Sequence, residues 1–169
     1  MIWVTPLSSL DRTLRKTGAR HLLTLLSAGT EFIRPAGLAP ERCLYLVMND
    51  IAEQRDGLVA PSVEHVARIL EFGHSWNRET PLVIHCFAGI SRSTAAAYAI
   101  AAALQPGRDE RELASALRRL APSATPNPLI VAHADALLGR RGRMSAAIRD
   151  IGRGAEAREG SPFCIAIEE

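Results

Sequence analysis

The sequence predicts an α/β domain with a central, mostly parallel sheet of four or five strands flanked by helices. Short apolar runs of strand length alternate with segments of helical periodicity over the first half of the chain. One such run, residues 81–84, leads through a loop into the Ala-rich segment 94–104, as when a buried strand turns into a buried helix. Helical segments dominate the second half. This alternation is typical of parallel strands joined by helical crossovers.

Turn and capping residues set the ends of the predicted elements. Gly18 ends the first helix, Pro61 and Ser62 begin the second, and Asp109 caps a later one. The predicted strands cover residues 2–4, 21–26, 43–48 and 81–84, and residues 2–4 are expected at an edge or as the first strand. The predicted helices cover residues 8–16, 61–76, 94–104, 109–120, 129–138 and 144–151.

Composition narrows the class of protein. The 169 residues are enough for a sizeable core, so we expect one domain over residues 1–169. Hydrophobic residues make up 47% and charged residues 22%, which is ordinary for a globular protein, and a net charge of +2 gives no reason to expect nucleic acid as a partner. The longest apolar run, residues 94–104, is too short to span a bilayer, and residues 1–4 lack the basic start of a signal peptide.

The C-terminal residues 140–169 form a basic tail in which only residues 144–151 have a helical pattern. Its arginines are expected to form a solvated basic face, and docking of acidic partners is the alternative role. These arginines are Arg140, Arg141, Arg143, Arg149, Arg153 and Arg158.

The three cysteines are widely separated and have neither a disulfide framework nor the spacing of a zinc site. Cys43 and Cys164 are expected to be ordinary apolar residues. Cys86 differs, because it lies at the end of the strand predicted at residues 81–84 and just before the loop.

That loop, residues 85–93, reads His-Cys-Phe-Ala-Gly-Ile-Ser-Arg-Ser. Free backbone N–H groups at the start of a helix bind anions, and Gly89 lets the chain turn so that these groups point inward. A helix N-terminus and the nearby Arg92 favour the thiolate form of Cys86, which is the nucleophilic form. The guanidinium of Arg92 can hold two phosphate oxygens at once. Ser93 can hydrogen-bond the sulfur, and His85 is expected to hold the loop through hydrogen bonds from its ring to the backbone.

This loop resembles the signature of the cysteine-dependent protein tyrosine phosphatase superfamily, which consists of His-Cys, five residues, Arg, and then Ser or Thr. The strand before it and the helix after it supply the context that this signature requires. The chain length is similar to that of the compact dual-specificity branch, and Asn49-Asp50 and Pro126-Asn127 extend the resemblance. A rhodanese-like sulfur-transfer loop is a poorer match.

The resemblance implies a hydrolase, a protein tyrosine or dual-specificity phosphatase that forms a phosphocysteine on Cys86. No metal or cofactor is expected, because the loop amides and Arg92 neutralise the developing charge. A working Cys86 thiolate requires a reducing compartment, so we expect a cytoplasmic protein. Phosphoryl oxygens are then expected on Arg92 and on the backbone amides of the loop. These amides belong to Phe87, Ala88, Gly89, Ile90, Ser91 and Arg92.

Such a reaction also needs a proton donor for the leaving oxygen, which the family supplies from an upstream Asp. Asp50 lies 36 residues before Cys86 and Asp56 lies 30 before it. Asp50 is favoured because it follows a strand predicted to be parallel to the Cys86 strand, which places both at one edge of the sheet. Asp56 and, more distantly, Glu53 stay open as alternatives.

The substrate is less well determined by the sequence. The variable loop positions Phe87, Ala88 and Ile90 add no positive charge, which favours phosphotyrosine or mixed phosphoprotein substrates over polyphosphorylated lipids. A phosphatase of a non-protein phosphoester and a pseudophosphatase that binds phosphate without turnover are the alternatives.

Overall fold

Five short apolar segments pair into one sheet in the computed structural model, which describes residues 1–167. The strands are β1 (Ile2–Pro6), β2 (His21–Leu26), β3 (Cys43–Val47), β4 (Leu82–Cys86) and β5 (Phe163–Ile165). Their order across the sheet is β3-β2-β4-β1-β5. The first four strands pair in parallel and β5 is antiparallel to β1, which confirms the predicted mostly parallel sheet.

Within residues 1–167, six α-helices flank the sheet, and all six overlap helices predicted from the sequence. They are α1 (Leu10–Thr17), α2 (Val63–Ser75), α3 (Arg92–Leu104), α4 (Glu110–Leu120), α5 (Pro128–Leu137) and α6 (Arg143–Ile151). The Ser62 hydroxyl accepts the His65 amide at the start of α2, and the Asp109 carboxylate caps α4. Within residues 1–167, every helix is too short or too polar to cross a membrane.

The two faces of the sheet are covered differently. Along β4, Leu82, Ile84 and Cys86 belong to the large core on the side of α3, whereas Val83 belongs to a smaller core with Leu10 of α1. α3 contacts β1, β4, α2, α4 and α5, and its run of small alanines is almost entirely buried. This central helix therefore starts from a well-packed position directly behind the loop 87–91.

One edge of the sheet is formed by a strand that the sequence does not predict. β1 is the first strand, which is one of the two alternatives predicted for it, and it lies inside the sheet between β4 and β5. The edge beside β1 is formed by β5, for which the sequence predicts no strand, and β3 forms the opposite edge. β5 has only three residues, too few for an alternating pattern to be recognised.

The basic tail also differs from the expected solvated face. Arg140 is buried, and its guanidinium lies 3.0 Å from the Glu110 carboxylate and also donates to the Ala102 and Pro106 carbonyl groups. Arg143 binds the same carboxylate at 3.1 Å. The prediction is wrong for Arg140 because a single acidic residue far away in sequence neutralises it.

Candidate active site

Cys86 ends β4 at the carboxyl edge of the sheet, and its side chain is almost fully buried. The sulfur lies 3.1 Å from Oγ of Ser93, on the first turn of α3. It also accepts the backbone N–H of Gly89 at 3.3 Å. Two polar groups therefore converge on this sulfur, one from the loop and one from the helix that follow it.

The loop turns its backbone carbonyl groups away from this sulfur. The Phe87 carbonyl accepts the Leu7 amide at 3.0 Å, the Ala88 carbonyl accepts the Gly160 amide at 2.8 Å, and the Ile90 carbonyl accepts the Thr125 amide at 2.9 Å. In a trans peptide the carbonyl and the next N–H point in opposite directions. Three outward carbonyl groups therefore direct the following three N–H groups toward the inside of the loop, where an anion can bind.

Glycine is required in the middle of the loop for two reasons. Gly89 has a φ of +68°, a conformation that L-residues other than glycine rarely adopt. A Cβ at this position would also lie 2.6 Å from the backbone nitrogen of Pro6, at the end of the adjacent β1. The loop is thus packed directly against the neighbouring strand.

Arg92 has a buried guanidinium with neutral partners. One terminal nitrogen donates to the Met48 carbonyl at 2.7 Å and to the Ser27 hydroxyl at 3.1 Å. Its Nε is buried and has no hydrogen-bond partner, and none of the ion pairs within residues 1–167 includes Arg92. A buried charge with only neutral partners is unfavourable unless an anion joins it. The site therefore has both an unused donor and an uncompensated positive charge.

His85 is completely buried beside the loop. Its Nε2 lies 2.9 Å from the Thr24 hydroxyl on β2. Burial lowers the pKa of His85 to about 4; the backbone of Cys86 acts in the opposite direction and the Arg92 charge adds to the lowering. The ring is neutral at neutral pH and binds Thr24 on β2. Its support of the loop through hydrogen bonds from the ring to the backbone stays a prediction.

Asp50 lies at the same edge of the sheet, three residues after β3. Its Oδ1 accepts the Ser91 hydroxyl at 2.7 Å and the Asn127 side-chain amide at 2.9 Å. Asn127 in turn caps α5 and donates to the Ile51 carbonyl. These bonds hold the Asp50 carboxyl group beside the loop residue that precedes Arg92.

The two alternative acids are placed differently. Glu53 pairs with Arg55 at 3.1 Å on the exposed loop after Asp50. Asp56 is exposed on that same loop. Among the three candidates, Asp50 is the one for which the structure gives a direct bond to the loop 87–91.

Several supporting residues could not be identified from the sequence as part of the site. Ser27 and Met48 orient Arg92, Thr24 binds His85, and Gly160 binds the loop. Each of these residues lies more than 40 residues from its partner in the sequence, and no local sequence pattern relates the two. Asn127 is the exception, because the Pro126-Asn127 pair is part of the family resemblance found in the sequence.

The fold is that of the cysteine-dependent phosphatases of the dual-specificity type. The structure of DUSP15 matches with a TM-score of 0.64 and 18% identity over 88% of this chain and 90% of that one. PTP-2 phosphatase of Cydia pomonella matches with a TM-score of 0.61 and 15% identity, over 80% and 84% of the two chains. PTPMT1 in complex with PI(5)P matches with a TM-score of 0.60 and 15% identity, over 81% and 87%.

These similarities confirm, at the level of the fold, the family resemblance predicted from the signature. No protein-family model matches the chain. No curated protein matches it either.

Proposed function

We propose that this protein is a phosphoric monoester hydrolase that acts through a phosphocysteine intermediate on Cys86. The observation that carries the proposal is the buried Arg92, whose Nε has no partner and whose charge faces only neutral groups. A phosphoryl group supplies both the acceptor oxygens and the negative charge that this arginine lacks. The sulfur of Cys86, in the same loop, is the nucleophile.

The reaction follows in two steps. The inward N–H groups of the loop and Arg92 bind the phosphoryl oxygens and stabilise the charge of the transition state. The Cys86 thiolate attacks phosphorus, so that a P–S bond forms while the P–O bond to the leaving group breaks, and Asp50 gives its proton to the leaving oxygen. Water then attacks phosphorus and passes a proton to Asp50. The P–S bond breaks, and Ser93 stabilises the departing thiolate from 3.1 Å.

Phosphoprotein substrates, phosphotyrosine in particular, suit the surface of the loop best. The Phe87 side chain is 58% exposed next to Cys86, and the loop 87–91 carries no basic side chain. An exposed aromatic side chain favours contact with an aromatic or apolar group. A polyphosphorylated headgroup would need further positive charges around Cys86.

A hydrolysis assay with p-nitrophenyl phosphate tests the proposal. The wild type is expected to release nitrophenol in the presence of EDTA, and Cys86→Ser is expected to lose this activity. Cys43→Ser and Cys164→Ser are the matched controls and should keep it, since neither lies in the loop.

Binding of vanadate distinguishes the proposal from a module that binds phosphate without turnover. Cys86→Ser should still bind the oxyanion, because the amides and Arg92 are intact. A wild type that binds vanadate but hydrolyses neither the aryl phosphate nor a phosphotyrosine peptide would identify a pseudophosphatase. Turnover that persists in Cys86→Ser would contradict the covalent mechanism.

A further inference from the structure

The segment between α6 and β5, residues 152–162, contacts the loop from the side opposite the Cys86 sulfur, and we name it the strap. Its Gly160 amide donates to the Ala88 carbonyl at 2.8 Å. Three residues after Gly160 the chain enters β5, which pairs with β1. At the other end, the Gly154 amide donates to the Thr125 hydroxyl at 3.1 Å. The strap is therefore anchored on both sides of its contact with the loop.

One peptide group joins the strap to the sulfur. The Ala88 carbonyl accepts the Gly160 amide, and the N–H of the same peptide group, which belongs to Gly89, donates to the Cys86 sulfur at 3.3 Å. The peptide group is planar, so its carbonyl and its N–H cannot turn independently. The Gly160 hydrogen bond outside the loop thereby sets the direction of the donor inside it.

The contact is too close for a side chain on the strap. A Cβ at Gly160 would lie 2.8 Å from the Gly89 carbonyl oxygen, which is a backbone atom and cannot rotate away as a side chain would. The adjacent Glu159 is held by the Ser8 hydroxyl, 2.7 Å from its carboxylate. At Gly160 the strap therefore approaches the loop backbone to backbone.

We propose that Gly160 is a positioning residue for the reaction of Cys86. Its N–H holds the Ala88–Gly89 peptide group in the orientation that stabilises the thiolate, and its missing side chain permits the contact. The C-terminal segment is then a working part of the active site and not an accessory tail. The effect on turnover rests on the proposed phosphatase function, whereas the effect on the thiol does not.

Gly160→Ala tests this proposal through the pH dependence of Cys86 alkylation by iodoacetamide, followed by mass spectrometry at that residue. Loss of one hydrogen bond to a charged group corresponds to about a tenfold change, so we expect the midpoint of the alkylation curve to rise by about one pH unit. The kcat for p-nitrophenyl phosphate should fall by about tenfold. A purely structural role would change the unfolding midpoint and leave the alkylation midpoint in place.

Two substitutions serve as controls. Ser161→Ala lies next to Gly160 on the exposed part of the strap, and Gly107→Ala adds a Cβ with nothing within 4 Å. Both should match the wild type in alkylation and turnover. An alkylation midpoint in Gly160→Ala equal to that of these controls would overturn the proposal.

An ester variant removes the hydrogen bond from Gly160 to the Ala88 carbonyl without adding a side chain. It tests the positioning role of Gly160 if Gly160→Ala does not fold. In it, glycolic acid replaces Gly160, so that an oxygen stands in place of the N–H. The same upward shift of the alkylation midpoint supports the proposal, and an unchanged midpoint rejects it. A wild type without hydrolysis would reject the phosphatase function alone, since the alkylation comparison needs no turnover.

Discussion

Two buried arginines differ in their partners, and this difference separates an arginine that is neutralised within the protein from one that could bind an anion. Arg140 lies 3.0 Å from the Glu110 carboxylate, so its charge is neutralised within the protein. Arg92 donates to a carbonyl and a hydroxyl group, and its Nε has no partner. Because an uncompensated buried charge is costly, Arg92 is the arginine that an anionic ligand would stabilise.

Asp50→Asn tests the proton donor. The variant is expected to hydrolyse a phosphotyrosine peptide about 10³-fold more slowly, because the poor leaving group then departs without a proton. The loss on p-nitrophenyl phosphate should be smaller, since nitrophenolate leaves without help. The measurement is kcat/KM for both substrates as a function of pH.

Asp56→Asn is the matched control for this prediction. Asp56 lies on the exposed loop beyond Asp50, so the variant should stay close to the wild type on both substrates. If the two variants exchanged their behaviour, the acid would be Asp56. Equal losses on both substrates in Asp50→Asn would instead indicate that Asp50 only holds Ser91 in place.

At the scale of elements, Glu110 joins the start of α4 to the start of α6. Its carboxylate is buried and receives Arg143 on α6 and Arg140 in the turn before it. Burial by itself would raise the pKa of Glu110, but the hydrogen bonds from Arg143 and the charge of Arg140 hold it below its usual value. This group links the helices that precede the strap.

Glu110→Gln should lower the free energy of unfolding by about 3 kcal/mol, because Arg140 is left buried without its counter-charge. The change is measured as the shift of a urea unfolding curve at pH 7. The control is Asp150→Asn, which removes an exposed partner 3.5 Å from Arg111 on the same pair of helices. That surface pair should contribute less than about 1 kcal/mol, and a comparable cost for both variants would contradict the role of burial.

At the scale of the whole molecule, parallel pairing brings distant parts of the chain to one edge of the sheet. The ends of β3 and β4 carry Asp50 and Cys86 there, although β2 lies between these strands. His85 connects β4 to β2 through Thr24 at the same edge. Protonation of this buried ring is therefore linked to unfolding of the sheet as a whole.

The protein is expected to lose stability as the pH falls below 7. His85 has a pKa of about 4 in the folded protein against 6.5 for a free ring, so unfolding takes up a proton between these values and becomes easier as the pH falls. Between pH 7 and pH 5 this ring should account for a loss of about 2 kcal/mol. Urea unfolding at the two pH values measures it.

His85→Gln should show a correspondingly smaller loss between pH 7 and pH 5, whatever its stability at pH 7. His74 is exposed near the end of α2, and His74→Gln is the control that should keep the wild-type dependence. If His85→Gln kept the full dependence as well, protonation of other groups would explain the loss.

The local part of the site could be predicted from the sequence because its geometry is local. Residues 85–93 contain the strand end, the glycine turn and the helix start, and the bonds between Cys86, Gly89 and Ser93 span at most seven residues. The apolar runs on either side of the loop are predicted as a buried strand and a buried helix from their own periodicity and helix propensity. The fold class followed from the same patterns.

Tertiary structure alone decided which groups surround that loop. The partners of Arg92 at Ser27 and Met48, the Gly160 contact, the interior position of β1 and the burial of Arg140 each join segments far apart in the chain. No periodicity relates such residues, because the sheet order and the packing of α3 bring them together only after folding. Nine consecutive residues thus determine the proposed nucleophile and the loop around it, whereas the orientation of the loop depends on contacts from distant parts of the chain.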